Sequence, residues 1–134
     1  MKKYIIDIET KRVELQKGED DINIFSSSVL GEVDFCDDEI RIEYSDKEAK
    51  AVITVSDALV TVHSTGVATS SLVFCKGKQC GGEYSMPEGT LQVTTYTYDI
   101  QNKLSSPEKT LTIDYEINFG GNVCDRSVIT YKLK

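Results

Sequence analysis

The chain has 134 residues, of which 40% are hydrophobic and 28% charged, and its formal net charge is −7. This length and composition are typical of one folded domain of about 100–150 residues; they exclude intrinsic disorder, a collagen-like repeat and a disulfide scaffold. We therefore predict a single domain over residues 1–134. The excess of 22 acidic over 15 basic side chains argues against sequence-independent binding of nucleic acid, so we expect no nucleic-acid partner.

The N-terminal segment bears on the cellular compartment. Lys2 and Lys3 precede an apolar stretch that stops at Asp7, far short of the roughly 7–15 residues of a secretion-signal core. No apolar run elsewhere approaches the ~20 residues that cross a bilayer. We therefore expect a cytoplasmic protein without a membrane span.

Apolar and polar residues alternate with a period of two along much of the chain, which is typical of half-buried antiparallel strands. In the clearest segment, Leu111–Phe119, the odd positions form an apolar face and the even positions a polar face. In chain order, the predicted strands cover Tyr4–Val13, Ile22–Leu30, Glu32–Cys36, Glu39–Tyr44, Ala49–Val55, Leu59–Ser64, Ser70–Lys76, Thr90–Ile100, Leu111–Phe119 and Arg126–Leu133.

This series of short strands determines the predicted fold class. About nine or ten strands at intervals near a dozen residues, without a convincing amphipathic helix, indicate an all-β sandwich or barrel. One-sided alternation favours the barrel, because closure removes the exposed edges of long strands. We predict a single antiparallel up-and-down barrel of about eight to ten strands.

A glycine- and proline-containing segment precedes the strand at Thr90. Pro87 fixes its own φ and Gly89 permits a positive φ, so the chain can reverse tightly into that strand. A structural turn is favoured over a ligand clamp, because proline and glycine are the usual turn formers. Gly81 and Gly82, just before it, are interpreted as a mobile approach that could form a lid beside the barrel mouth.

The same segment resembles a known family. Tyr84–Val93 reads Tyr-Ser-Met-Pro-Glu-Gly-Thr-Leu-Gln-Val and is similar to the Tyr-x-Thr-Pro-aromatic-Gly-x-Leu signature of the YwiB-like proteins. Tyr84, Pro87 and Gly89 match that signature, whereas Met86 and Glu88 depart from it. The resemblance implies a calycin-like barrel, related in shape to lipocalins and fatty-acid-binding proteins. Because the family is uncharacterised, the resemblance implies no activity.

The candidates for catalysis and metal binding are few. His63 is the only histidine, and the alternation around it predicts an outer, solvent-facing position rather than a catalytic one. The four cysteines, Cys36, Cys75, Cys80 and Cys124, lack the paired close spacings of zinc sites, so we expect free thiols without a metal. We assign no catalytic residue and no cofactor.

Three tyrosines share a face with apolar neighbours. Tyr44, Tyr115 and Tyr131 lie in register with isoleucines and leucines and are predicted to point into the lumen. A buried hydroxyl without a partner costs about 1–3 kcal/mol, so each should meet Thr95, another tyrosine, water or a ligand. We predict Tyr44, Thr95, Tyr115 and Tyr131 as ligand-binding residues; the alternative is a filled core in which the tyrosines bond to one another and to backbone.

The function predicted from these features is limited to a class. The first hypothesis is binding of a small apolar or amphipathic molecule in the barrel lumen. The alternatives are a protein-interaction or assembly module that uses an exposed strand edge or apolar patch, and an enzyme whose site is assembled only in space. Both a monomer and a homodimer are compatible with the sequence.

Overall fold

A computed structural model describes residues 2–14, 22–46, 49–57, 59–66, 68–119 and 122–134. Strands account for most of them. They are β1 (Lys2–Glu14), β2 (Ile22–Phe35), β3 (Ile40–Ser45), β4 (Lys50–Ser56), β5 (Leu59–Thr65), β6 (Thr69–Cys75), β7 (Gln79–Met86), β8 (Gly89–Lys103), β9 (Thr110–Phe119) and β10 (Asn122–Leu133).

The strands form one closed barrel in which each strand pairs with the next along the chain and β1 pairs with β10. Every pairing between strands is antiparallel, which confirms the predicted up-and-down topology. Backbone hydrogen bonds of 3.1 and 2.8 Å between Ile5 and Lys134 secure the closing pair.

The two ends of the barrel differ in how they are filled. We call the end that carries the turns at residues 36–39, 76–78 and 104–109 the base, and the opposite end, with the turn at 87–88, the mouth. The core consists mainly of isoleucine, valine and leucine side chains together with Phe74 and Tyr131, and Leu104 in the turn after β8 is buried with them. The base is therefore packed with apolar side chains.

Two strands predicted around Gly31 are one strand in the structure, so the predicted break there is wrong. A Cβ atom on Gly31 would lie 2.5 Å from the Ile6 Cδ1 atom and 2.7 Å from the Glu43 carbonyl oxygen. Because Gly31 has no side chain, Ile6 of β1 and the backbone of β3 can both pack against β2 at this position, and β2 continues through it.

The interpretation of Gly81 and Gly82 as a mobile lid is also wrong. Both lie within β7, where they pair with Thr94 and Val93 of β8. A Cβ atom on Gly82 would lie 2.5 Å from the Ser71 carbonyl oxygen, so the glycine permits close contact with β6. The sequence pattern failed here because glycines carry no side chain that could show the alternation.

The predicted turn at Pro87 is confirmed. Met86 pairs with Gly89, so Pro87 and Glu88 form the two-residue connection of the β7–β8 hairpin. Gly89 has a φ of 149°, a conformation that residues with a side chain rarely adopt.

The first half of β2 extends beyond the packed core. Residues Ile22–Ser28 are exposed on both faces of the strand. They pair with β1, whereas the pairing with β3 involves only Gly31–Phe35. We call Ile22–Leu30 the free edge of β2. No helix in the described part of the chain is long and apolar enough to span a membrane.

Candidate functional site

Five tyrosines lie in or against the core of the barrel, and one of them, Tyr4, has its ring in edge contact with that of Phe35. Tyr131 is buried, with 3% of its surface exposed, and Tyr44, Tyr84 and Tyr115 are half-buried and pack against the aliphatic core. Tyr44 and Tyr84 lie near the mouth ends of β3 and β7. The tyrosines predicted to point inward therefore do so, and the structure adds Tyr4 and Tyr84 to the set.

The phenol groups of the other four tyrosines influence one another electrostatically. Burial raises the pKa of Tyr131 well above its ordinary value, and the neighbouring phenols of Tyr44 and Tyr115 raise it further. Burial also raises the pKa of Tyr115, with an additional contribution from the Tyr84 phenol. The four groups thus form a cluster that keeps its protons at neutral pH.

A row of polar side chains crosses the inner face at Tyr115. The strand registers place Thr97, Tyr115, Ser127 and Arg12 opposite one another on β8, β9, β10 and β1. Ser127 hydrogen bonds with Tyr115 and lowers its pKa. Arg12 lies at the mouth end of the row; its guanidinium is 3.9 Å from an Asp125 carboxylate oxygen and 5.5 Å from the Phe25 ring centroid.

Two threonines of β8 are fully buried, and their hydroxyls differ in partners. The Thr95 hydroxyl donates a 2.6 Å hydrogen bond to the Val73 carbonyl oxygen, so Thr95 bonds to backbone rather than to a tyrosine. The Thr97 hydroxyl has no hydrogen-bond partner among the described residues. A buried hydroxyl in this state is unusual, since most buried polar side chains are paired.

A concavity lies beside Tyr44, at the point toward the mouth where the pairing of β2 with β3 ends at Gly31 and Tyr44. It has a volume of about 310 Å³, and most of the side chains that line it, such as those of Leu30 and Glu43, lie on the outer face of the barrel. It is lined by Lys3, Leu30, Gly31, Glu32, Glu43, Tyr44, Ser45 and Lys50. Thr95, Tyr115 and Tyr131 do not line it.

The remaining candidates lie elsewhere. His63 is exposed on β5, as predicted, and one of its ring nitrogens is 2.8 Å from the Ser71 hydroxyl. Cys36, Cys75 and Cys80 are unbridged thiols, while the Cys124 side chain lies outside the described residues. No group of three or more His, Cys, Asp or Glu side chains is placed to hold a metal ion in the part of the chain that the structure describes.

The sequence did not reveal Thr97, Ser127 or Arg12 as parts of this site. Their proximity depends on the registers of β8, β9, β10 and β1, and register between distant strands leaves no local signal. The alternation in Thr95–Tyr98 would have placed Thr97 inside, because it shares a face with Val93 and Thr95.

These features define the chain as a small calycin-like β-barrel with a tyrosine-rich interior. The family model named Domain of unknown function (DUF1934) matches residues 6–134, and the chain belongs to this family. This match and the ywiB structure described next together confirm the predicted resemblance to the YwiB-like proteins.

A solved structure supports the fold. The crystal structure of the ywiB protein from Bacillus subtilis superimposes with a TM-score of 0.77 at 20% sequence identity, covering 98% of this chain and 93% of that one. At this identity the similarity shows the fold alone. No curated protein matches the sequence.

Proposed function

We propose that the barrel binds a small apolar or amphipathic molecule in its lumen, and that the molecule enters through the barrel wall at the concavity beside Tyr44. The observation that carries this proposal is that Tyr44 belongs to both features. It lines the concavity of about 310 Å³, and its phenol is one of the neighbours that raise the pKa of the buried Tyr131. A volume of this size is near the lower limit of ordinary ligand pockets, about 300–1,000 Å³.

The side chains around this path suit a ligand with both apolar and polar parts. In the lumen the aliphatic core provides apolar contacts and the tyrosine phenols provide hydrogen-bond donors, while Lys3, Glu43 and Lys50 line the entry on the outer face. The unpartnered Thr97 hydroxyl, opposite Tyr115 in register, is a further group that a bound polar atom would satisfy. We propose the cytoplasm as the compartment, and the three unbridged thiols support this because a reducing environment keeps cysteines free.

The proposal can be tested with 1-anilinonaphthalene-8-sulfonate, a fluorescent probe with apolar rings and one anionic group. We expect saturable binding of one probe per chain. Tyr44→Phe and Tyr131→Phe should each weaken it about threefold to tenfold, since each removes one hydroxyl and each hydrogen bond contributes about 0.5–1.5 kcal/mol.

Tyr98→Phe is the matched control, because Tyr98 is exposed and hydrogen bonds to Glu116 outside the cluster. This variant should bind the probe like the wild type. Absence of saturable binding, or equal affinities for all three variants, would contradict a lumen site. A native mass spectrum of the purified protein supplies an independent check, because a retained small-molecule mass should appear in the wild type.

A further inference from the structure

The free edge of β2 lacks the features that usually protect a strand edge. Residues Ile22–Leu30 pair with β1 on one side, and no described residue pairs with them on the other. Strand edges are usually protected by lysine, proline or a bulge. This segment contains neither a charged residue nor a proline, and its register with β1 is continuous.

Apolar side chains accompany the unpaired backbone. Ile22, Ile24 and Leu30 lie on the outer face of β2 and are 62%, 59% and 64% exposed. Ile5 of β1 is paired with Leu30 and extends the same face. Unpaired backbone groups next to exposed aliphatic side chains are the arrangement that strand addition uses, with main-chain hydrogen bonds for affinity and side-chain contacts for specificity.

We propose that this edge binds the same edge of a second copy of the chain, in an antiparallel pair around a two-fold axis at Ser26. Each copy has a formal net charge of −7, so two copies repel each other. The free edge itself has no charged side chain, so the two backbones can pair there without bringing carboxylates of the edge together. The pairing is closed and self-complementary, as a two-fold interface requires.

The register around Ser26 uses the whole free edge. It places Ile22 of each copy opposite Leu30 of the other, so that two exposed aliphatic side chains cover each other at both ends. Ile24 then lies opposite Ser28, and Ser26 lies opposite its own symmetry mate. Directly opposed residues interact most strongly in antiparallel strands, and opposed like charges are destabilising.

The position of Ser26 on the axis provides a sharp test. We expect the wild type to sediment as a dimer at tens of micromolar, whereas Ser26→Lys and Ser26→Glu should each raise the dissociation constant at least tenfold. An equimolar mixture of these two variants should recover a heterodimer, because lysine and glutamate then face each other. Analytical ultracentrifugation measures the dimerisation of the wild type, of each variant and of their mixture. Circular dichroism confirms that each variant is folded.

The matched control is the pair Gln79→Lys and Gln79→Glu, at an exposed position of β7 that is paired with Tyr96 of β8. Both control variants should dimerise like the wild type. A monomeric wild type at 100 micromolar would overturn the proposal and leave the edge to a different partner. A dimer that tolerates both Ser26 substitutions, or a mixture that stays monomeric, would overturn the assigned interface.

Discussion

The two halves of β2 have similar apolar content but opposite environments. Val33, toward the base, is 1% exposed, whereas Phe25, on the same face of the strand toward the mouth, is 54% exposed. The base half lies between β1 and β3, and the mouth half has only β1 beside it. The comparison shows that burial along this strand depends on a second neighbouring strand, which the hydrophobicity of the strand itself does not reveal.

The largest expected effect comes from truncating one isoleucine in the packed core and one in the mouth half of β2. Ile53 on β4 is fully buried, so Ile53→Ala should lower the free energy of unfolding by about 2–5 kcal/mol through lost burial and a cavity. Ile24→Ala should change it by less than about 0.5 kcal/mol, because the side chain is exposed. Urea denaturation at a low micromolar protein concentration measures the free energy of unfolding of both variants. Comparable losses for the two variants would show that the mouth half of β2 is packed.

A second pair of variants tests close packing within β7. Gly82→Ala should destabilise the barrel by about 1–3 kcal/mol, because its Cβ would lie 2.5 Å from the Ser71 carbonyl oxygen, which belongs to backbone. No atom lies within 4 Å of the Cβ position on Gly81, so Gly81→Ala should be neutral or slightly stabilising. Urea denaturation again measures the free energy of unfolding of both variants. If Gly82→Ala left it unchanged, that result would argue against tight contact between β6 and β7.

These glycines also show where prediction from sequence succeeds and fails. The alternation along Leu111–Phe119 correctly separated inner from outer residues, because burial on one face imposes a period of two. Gly31 and Gly82 were misinterpreted because their function is to admit a neighbouring strand, which depends on partners distant in sequence. Among the candidate site residues, the inward direction of Tyr131 followed from local pattern, while the row from Thr97 to Arg12 required the three-dimensional register.

The buried tyrosines predict a loss of stability at alkaline pH. Burial raises the folded-state pKa of Tyr131 above the ordinary value of about 10, so on raising the pH the unfolded chain releases its proton first. The stabilisation is complete below pH 10 and is lost as the pH rises toward the folded-state pKa. We expect the free energy of unfolding to decline above pH 10, and Tyr131→Phe to reduce that decline by up to about 1.4 kcal/mol per pH unit.

Chemical denaturation from pH 6 to pH 11 tests this expectation. Between pH 6 and pH 9 the curves of stability against pH for wild type and Tyr131→Phe should run parallel, because the phenol is protonated in both folded and unfolded states. Curves that stay parallel up to pH 11 would mean that Tyr131 titrates like an exposed tyrosine, contrary to its 3% exposure.

The smallest expected effect concerns Asp7, which lies at the boundary between the packed and exposed halves of the β1–β2 hairpin. Its carboxylate accepts a 2.6 Å hydrogen bond from the Ser28 hydroxyl and lies 2.6 Å from the Lys134 ammonium nitrogen. Hydrogen bonds from Lys134 and then Ser28 lower the pKa of Asp7, so this stabilisation is present above the unfolded-state pKa and is lost as the pH falls through the folded-state value.

We therefore expect Asp7→Asn to reduce hydrogen-exchange protection of the amides in Ile24–Ser28 at neutral pH, with little change at Val33. The difference from wild type should disappear as the pH falls through the pKa of Asp7, because the protonated carboxyl no longer pairs with Lys134. Glu9→Gln is the matched control, since Glu9 lies 4.0 Å from Lys11 on its own strand and this ion pair does not cross to β2. If Glu9→Gln lowered protection as much as Asp7→Asn, general loss of surface charge would account for the effect. If neither variant altered exchange, pairing with β1 alone would be enough to hold the mouth half of β2 in place.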